Sequence, residues 1–172
     1  MDVGAGDAHH SLWLARSRPD VFAIAIEPSH ESLRDAARSL TRRRLPNIAL
    51  IANAVEQCGD LGALADEVTV TLPWGTLLEA LLGRRADVLG AVAAISRPGA
   101  ALQAIASLTN RDGHGVMPAV AALCETYRDA GFDDLVVRPA SADDVADARS
   151  SWGKRLGVGR ARPAFVLRAT RR

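Results

Sequence analysis

Short apolar runs of strand length alternate with helically patterned segments along almost the whole chain, and few folds accept that alternation. "MDVGAGDAHHSLWLAR" reads as a strand end, a glycine turn and a helix. "DVFAIAIEP" is the next strand, stopped by Pro28, and "SHESLRDAARSLTRRR" is a helix with Ser29 as its N-cap and Leu33, Ala36, Ala37 and Leu40 at helical spacing. Strands "NIALIANA" and "EVTVTLPW", helices "GTLLEALLG" and "DVLGAVAAIS", strand "RPGAALQAIASL" and helix "AVAALCETYRDAGF" follow, with Gly131 as the C′ residue of the last helix. "DLVVRPA" and "PAFVLRAT" are the final strands. Strands that are continuous apolar runs are buried on both faces, which predicts an α/β, Rossmann-like domain: a mainly parallel sheet with helices on both faces. The 172 residues suffice for one such domain and show no repeat or linker, so residues 1–172 are read as a single unit. Only Met1, Asp2 and Val3 precede Gly4, so an N-terminally truncated first strand is expected.

With 48% hydrophobic and 24% charged residues the chain has the balance of a folded domain, and no apolar run reaches membrane-spanning length. No signal peptide is apparent, and a cytoplasmic monomer is expected. Cys58 and Cys124 have no metal-ligand spacing and read as reduced, buried thiols, and no metal is expected. The net charge is +1, so any affinity for nucleic acid must come from local patches. One such patch is evident. From Arg149 to Arg172 there are eight Lys or Arg and no acid, whereas Asp133 to Asp147 carries five acids against Arg138 alone.

"DVGAGDA" places Gly4 and Gly6 between a strand and a helix, where glycine permits a sharp turn and close approach of a ligand. Glu27 ends the second strand, where a carboxylate can accept both hydroxyls of a ribose. A pyrophosphate would want bare amides at the turn. Here Asp2 and Asp7 bring negative charge instead, which suits a sulfonium and an ammonium, and S-adenosylmethionine is the expected cofactor. In this fold Ala54 and Glu56, in "NAVEQ", fall where the cofactor's adenine is contacted.

Two tryptophans stand where loops are expected at the ligand-binding edge. Trp74 follows the fourth strand in "LPWGTLLE", and Trp152 lies in the basic "SSWGKRLGVGRARP". Together they suggest a slot for a flat base. Trp13, flanked by leucines, reads as packing, and His9 and His10 read as helix-start residues.

Taken together, "DVGAGDA", "IEPSHESL", "LPN", "AVE", "LPWGTLLE" and "SSWGKRLGVGRARP" resemble the 16S ribosomal RNA methyltransferases that modify N1 of adenine 1408 and give aminoglycoside resistance. The resemblance implies a class I S-adenosylmethionine-dependent methyltransferase acting on 16S rRNA in the 30S subunit. It implies that Trp74 and Trp152 sandwich a flipped adenine, that Pro73 walls the pocket and that Ser150 lies close to the target. Asp2, Gly4, Gly6, Glu27, Ala54, Glu56 and Thr76 would serve the cofactor. Lys154, Arg155, Arg160 and Arg162 would hold RNA or order the catalytic loop, and Arg43, in "TRRRLP", would extend the docking face. Ala8 stands where the family commonly has glycine, Glu27 where aspartate is commoner, and "TNRDGHGVMP" is short for the family. Two other readings stay open: a methyltransferase of this fold acting on a small molecule, and a non-catalytic RNA-binding homologue.

Overall fold

The computed structural model describes residues 1–108, 119–150, 153 and 162–172. Seven strands form one sheet in the order β3-β2-β1-β4-β5-β7-β6. They are β1 (Asp2–Val3), β2 (Ala23–Ile26), β3 (Ile48–Ile51), β4 (Ala65–Thr71), β5 (Ser96–Ser107), β6 (Phe132–Pro139) and β7 (Ala164–Arg171). All neighbours up to β5 pair in parallel, and β7 runs antiparallel to both β5 and β6. The mainly parallel sheet predicted from the apolar runs is therefore present, closed by one reversed strand. The short first strand is present too. β1 is two residues long, pairing Asp2 with Ala25 and with Thr69 and Val3 with Ile26.

Alternation along β2 divides the helices between the two faces. Ala23 and Ala25 point into a cluster with Leu12 and Ala15 of α1 (His9–Ser17) and Leu33 and Ala36 of α2 (His30–Arg43). Ile26 joins the larger core on the other face, under α3 (Gly75–Leu81), α4 (Ala86–Ile95) and α5 (Val120–Asp129). Small alanines on one side let α1 and α2 sit close, while branched residues fill the deeper side. Along β5, Ala100, Leu102, Ala104 and Ala106 are all buried at the spacing of two that a strand requires.

Local signals explain several element ends. The Ser29 hydroxyl accepts the Ser32 amide at 3.2 Å, capping α2 as expected. Ala37, at the edge of the apolar stripe of α2, is exposed. Gly131 follows α5 with φ +96°, the left-handed residue that ends a helix. One helix has no counterpart in the apolar pattern: α6 (Ala142–Asp147), which lies between β6 and β7 and buries no side chain. Cys58 is buried and Cys124 half-buried, and both are free. Among the described residues no helix is long and apolar enough to cross a membrane.

Candidate active site

In this strand order the chain leaves β1 in one direction through β2 and β3, then returns to build β4 and β5 on the other side. The C-terminal ends of β1 and β4 thus border a topological switch point, the place where open α/β sheets bind ligands. A cavity of about 570 Å³ opens there. It gathers Gly4, Gly6, Glu27, Ala54, Glu56, Pro73, Trp74, Thr76 and Ser150, residues far apart in the chain.

The glycine turn forms one wall. Gly4 and Gly6 have φ of +70° and +55°, and a Cβ on Gly4 would lie 2.7 Å from Leu77 Cδ2. Glycine at position 4 is thus favoured by its backbone angle, and any side chain there would also displace the tip of Leu77. Ala8 closes the turn with φ +51° and is fully buried, so a methyl group is accommodated where the family commonly has glycine, at some backbone cost. Glu27 holds the turn against the next helix. One carboxylate oxygen accepts the Gly6 amide at 3.0 Å and the other accepts the Ser29 amide at 3.0 Å. Both oxygens keep lone pairs for a ligand, already oriented by the backbone.

Ala54 and Glu56 stand on the opposite wall, where a short 3-10 turn (Val55–Gln57) follows β3. Sequence reasoning assigned no ligand contact to Asn53 and Ser32, which also line the cavity. Both lie inside stretches already quoted, Asn53 in "NAVEQ" and Ser32 in "IEPSHESL", but only the fold brings their side chains to the rim. The charges are one-sided: Asp7, Glu27 and Glu56 line the cavity, and no Lys or Arg does among the described residues.

Asp2 sits elsewhere. It is 5% exposed, accepts the Ser11 hydroxyl at 2.8 Å, and faces α1 rather than the cavity at the switch point. Burial pushes its carboxyl above the ordinary value, and the Ser11 hydrogen bond is among the effects opposing that shift. Asp2 thus pins α1 to the strand beneath the turn and does not itself line the cavity that holds Gly4, Gly6 and Glu27. Asp2 borders a second cavity of about 750 Å³, which contains neither the glycine turn nor Glu27.

At the mouth of the first cavity, β4 ends abruptly. Leu72 takes φ +50°, in the left-handed region, while its amide still donates to Ile105 at 2.7 Å. This turn buries Pro73 and leaves Trp74 47% exposed beside the cavity. The Arg162 guanidinium carbon lies 5.8 Å from the Trp74 ring centroid, within cation–π reach. Ser150 Oγ accepts the Gly153 amide at 3.1 Å, and a Cβ at 153 would be 2.8 Å from Leu72 Cδ1, so glycine lets the backbone at 153 lie close to Leu72. Trp152, Lys154, Arg155 and Arg160 lie outside the described residues, as does all of "TNRDGHGVMP". Arg43 is exposed in the last turn of the 14-residue α2, about 20 Å from the Ser29 end that meets the cavity, so an RNA contact there would be separate from the mouth.

A glycine turn braced by the Glu27 carboxylate and an anionic cavity at the switch point of a sheet with one reversed strand define a class I S-adenosylmethionine-dependent methyltransferase. The model of the NpmA family, 16S rRNA (adenine(1408)-N(1))-methyltransferase, matches residues 1–171. A protein of that name from Escherichia coli is 27% identical over 182 residues, covering 96% of this chain and 83% of the relative. Another from Streptoalloteichus hindustanus is 28% identical over 178 residues, covering 94% and 81%. Among solved structures, a 16S rRNA (adenine(1408)-N(1))-methyltransferase variant from Catenulisporales acidiphilia, crystallised with cosubstrate S-adenosylmethionine, superposes with TM-score 0.85 at 27% identity over 99% of this chain and 84% of that one. The 16S rRNA methyltransferase KamB gives 0.83 at 28% identity, over 99% and 86%. The chain belongs to the 16S rRNA (adenine(1408)-N(1))-methyltransferase family.

Proposed function

We propose that this chain methylates N1 of adenine 1408 of 16S rRNA, acting as a cytoplasmic monomer on the assembled 30S subunit, and so confers aminoglycoside resistance. The observation that carries the reading is the cavity at the glycine turn, lined by three carboxylates and, among the described residues, by no cation. Such a cavity would repel a pyrophosphate and favours a ligand carrying a sulfonium and an ammonium. S-adenosylmethionine, when bound, supplies an electrophilic methyl group. Gly4 leaves room for it, Glu27 would take its ribose hydroxyls, and Ala54, Glu56 and Thr76 lie along the remaining wall.

N1 of adenine has an in-plane lone pair and no proton, so the reaction needs no general base before attack. As the N–C bond forms and the S–C bond breaks, the positive charge passes from sulfur to the purine. The protein's part is to hold the ring in line with the methyl group, which is catalysis by positioning. Trp74, exposed at the mouth on the buried base of Pro73, would supply one stacking face, and Trp152 the other. Extruding the base costs a few kcal/mol. Stacking offsets roughly 1–3 kcal/mol of that per base. Arg162 beside Trp74 would steady that ring, while Lys154, Arg155 and Arg160 would engage phosphates.

Primer extension on small subunits incubated with protein and S-adenosylmethionine tests the reading. Methylation of N1 blocks the Watson–Crick edge, so reverse transcriptase should stop one base before adenine 1408. The stop should weaken by about one to two orders of magnitude for Trp74→Ala, in line with the loss of one stacking partner. Full cofactor binding without any stop would assign the chain to another substrate. A stop of equal strength in Trp74→Ala would remove the stacking role.

A further inference from the structure

Trp13 reads as packing in the sequence, yet in the fold it is half-buried and carries a cation on its ring. The Arg149 guanidinium carbon lies 4.1 Å from the Trp13 centroid, closer than Arg162 stands to Trp74. One turn earlier on α1, His9 Nδ1 is 3.3 Å from the Arg149 carbonyl oxygen and donates to it when that nitrogen carries the proton. Two side chains of α1 therefore grip the residue immediately before Ser150.

The backbone at Arg149 makes the grip informative. Its φ is +48°, it follows the last residue of α6's cap, and its amide donates to Ala146 at 3.2 Å. This is the C′ position, where a left-handed residue ends a helix and glycine is the unstrained choice. The turn alone would be served better by glycine. What arginine adds is a side chain that reaches Trp13.

The two ends of this contact belong to different halves of the site. α1 starts two residues after Asp7, so it is the rigid continuation of the glycine turn, and Ser11 fastens it to Asp2 in β1. Arg149 leads directly into Ser150, which lines the same cavity and accepts the Gly153 amide. We propose that Trp13 and Arg149 form a latch that fixes Ser150 in register with the glycine turn, making both positioning residues for methyl transfer. The inference rests on the methyltransferase reading above, for which it supplies a device that spans the cofactor side and the target side of the cavity.

The test compares Arg149→Gly, Trp13→Ala and Trp13→Phe with the parent in two independent measurements. The first is exchange of the Gly153 amide proton by NMR, which reports the Ser150 hydrogen bond without any reaction. The second is steady-state methylation of small subunits, with cofactor affinity by calorimetry. Arg149→Gly removes backbone strain, so its thermal midpoint should equal or exceed the parent's, whereas a merely structural role predicts no loss of rate in a variant of equal stability. The latch predicts that Gly153 exchanges faster in Arg149→Gly and Trp13→Ala, that kcat falls about tenfold, and that cofactor affinity is unchanged. Trp13→Phe keeps an aromatic face and should restore most of both. Unchanged Gly153 exchange in Arg149→Gly overturns the latch. Faster exchange with an unaltered kcat overturns its role in transfer. A parent protein that does not methylate small subunits would overturn the methyltransferase reading instead, and the exchange measurement would still decide the latch.

Discussion

Glu27 shows how much chemistry one residue can combine. Its two oxygens are each tied to a backbone amide at 3.0 Å, and both remain open on their other lone pairs. Glu27→Gln keeps one acceptor oxygen and turns an NH₂ toward the second amide. Hydrogen bonds to a charged group contribute about 1.5–3 kcal/mol each, so cofactor affinity should fall about tenfold to a hundredfold. Calorimetry on the folded variant checks this, and an unchanged affinity would mean that the carboxylate serves only the turn. Glu27 was legible in the sequence because it sits at a fixed distance from a glycine turn. Asp2 was legible as part of that motif but not in its placement. Alternation along a strand sends neighbours to opposite faces, and Asp2 is sent to the α1 side, where Ser11 meets it. The packing partner of Trp13 was not legible in the sequence, because flanking leucines say nothing about Arg149, 136 positions away in the chain.

Among elements, α6 is the one the apolar pattern did not reveal, and its stability comes from polar contacts. Asp144 accepts both terminal nitrogens of Arg138, at 2.6 and 2.7 Å, and the amide and hydroxyl of Ser141 at 2.7 and 2.8 Å. The Ser141 hydroxyl in turn accepts the Asp144 amide at 3.1 Å, completing a capping box. Six residues with no buried side chain give no period to detect. The S-x-x-D spacing from Ser141 was the available signal. The Arg138 guanidinium, followed by the Ser141 bonds, holds the Asp144 carboxyl well below its ordinary 3.8. A carboxyl depressed by folding stabilises the native state above its unfolded value, and that contribution disappears as pH falls through the native value. Thermal midpoints should therefore drop below about pH 4 more steeply in the parent than in Asp144→Asn, with the two curves converging in acid. Parallel curves would show that the cluster holds α6 without contributing to global stability. The reversed β7 was equally hidden as a pairing. "DLVVRPA" and "PAFVLRAT" are both plain apolar runs, and which neighbours a strand takes is decided by contacts distant in sequence.

Across the whole molecule, 21 basic residues against 20 acidic ones leave little net field to draw an RNA in, so binding must rest on where the charges stand. The fold divides the basic block that the sequence shows as continuous. Because β7 runs opposite to its neighbours, Arg162 stands at the cavity mouth while Arg171 reaches the far edge, where it donates to the carbonyls of Ala93 and Gly131. Arg171 is thus committed to structure, and only part of the block remains for phosphate. The acidic cavity and the basic mouth should then respond to salt in different ways. If about three to five phosphates are neutralised, small-subunit affinity should fall about tenfold to a hundredfold between roughly 50 and 200 mM salt. Cofactor affinity, set inside a cavity by hydrogen bonds and shape, should change by less than about threefold over the same range. Filter binding with labelled subunits, run beside cofactor calorimetry at each salt concentration, checks both. A flat salt response for RNA would mean that the mouth holds its substrate by stacking alone. A much steeper fall would require basic contacts well beyond the mouth, and Arg43, at the far end of α2, would be the first to replace with alanine.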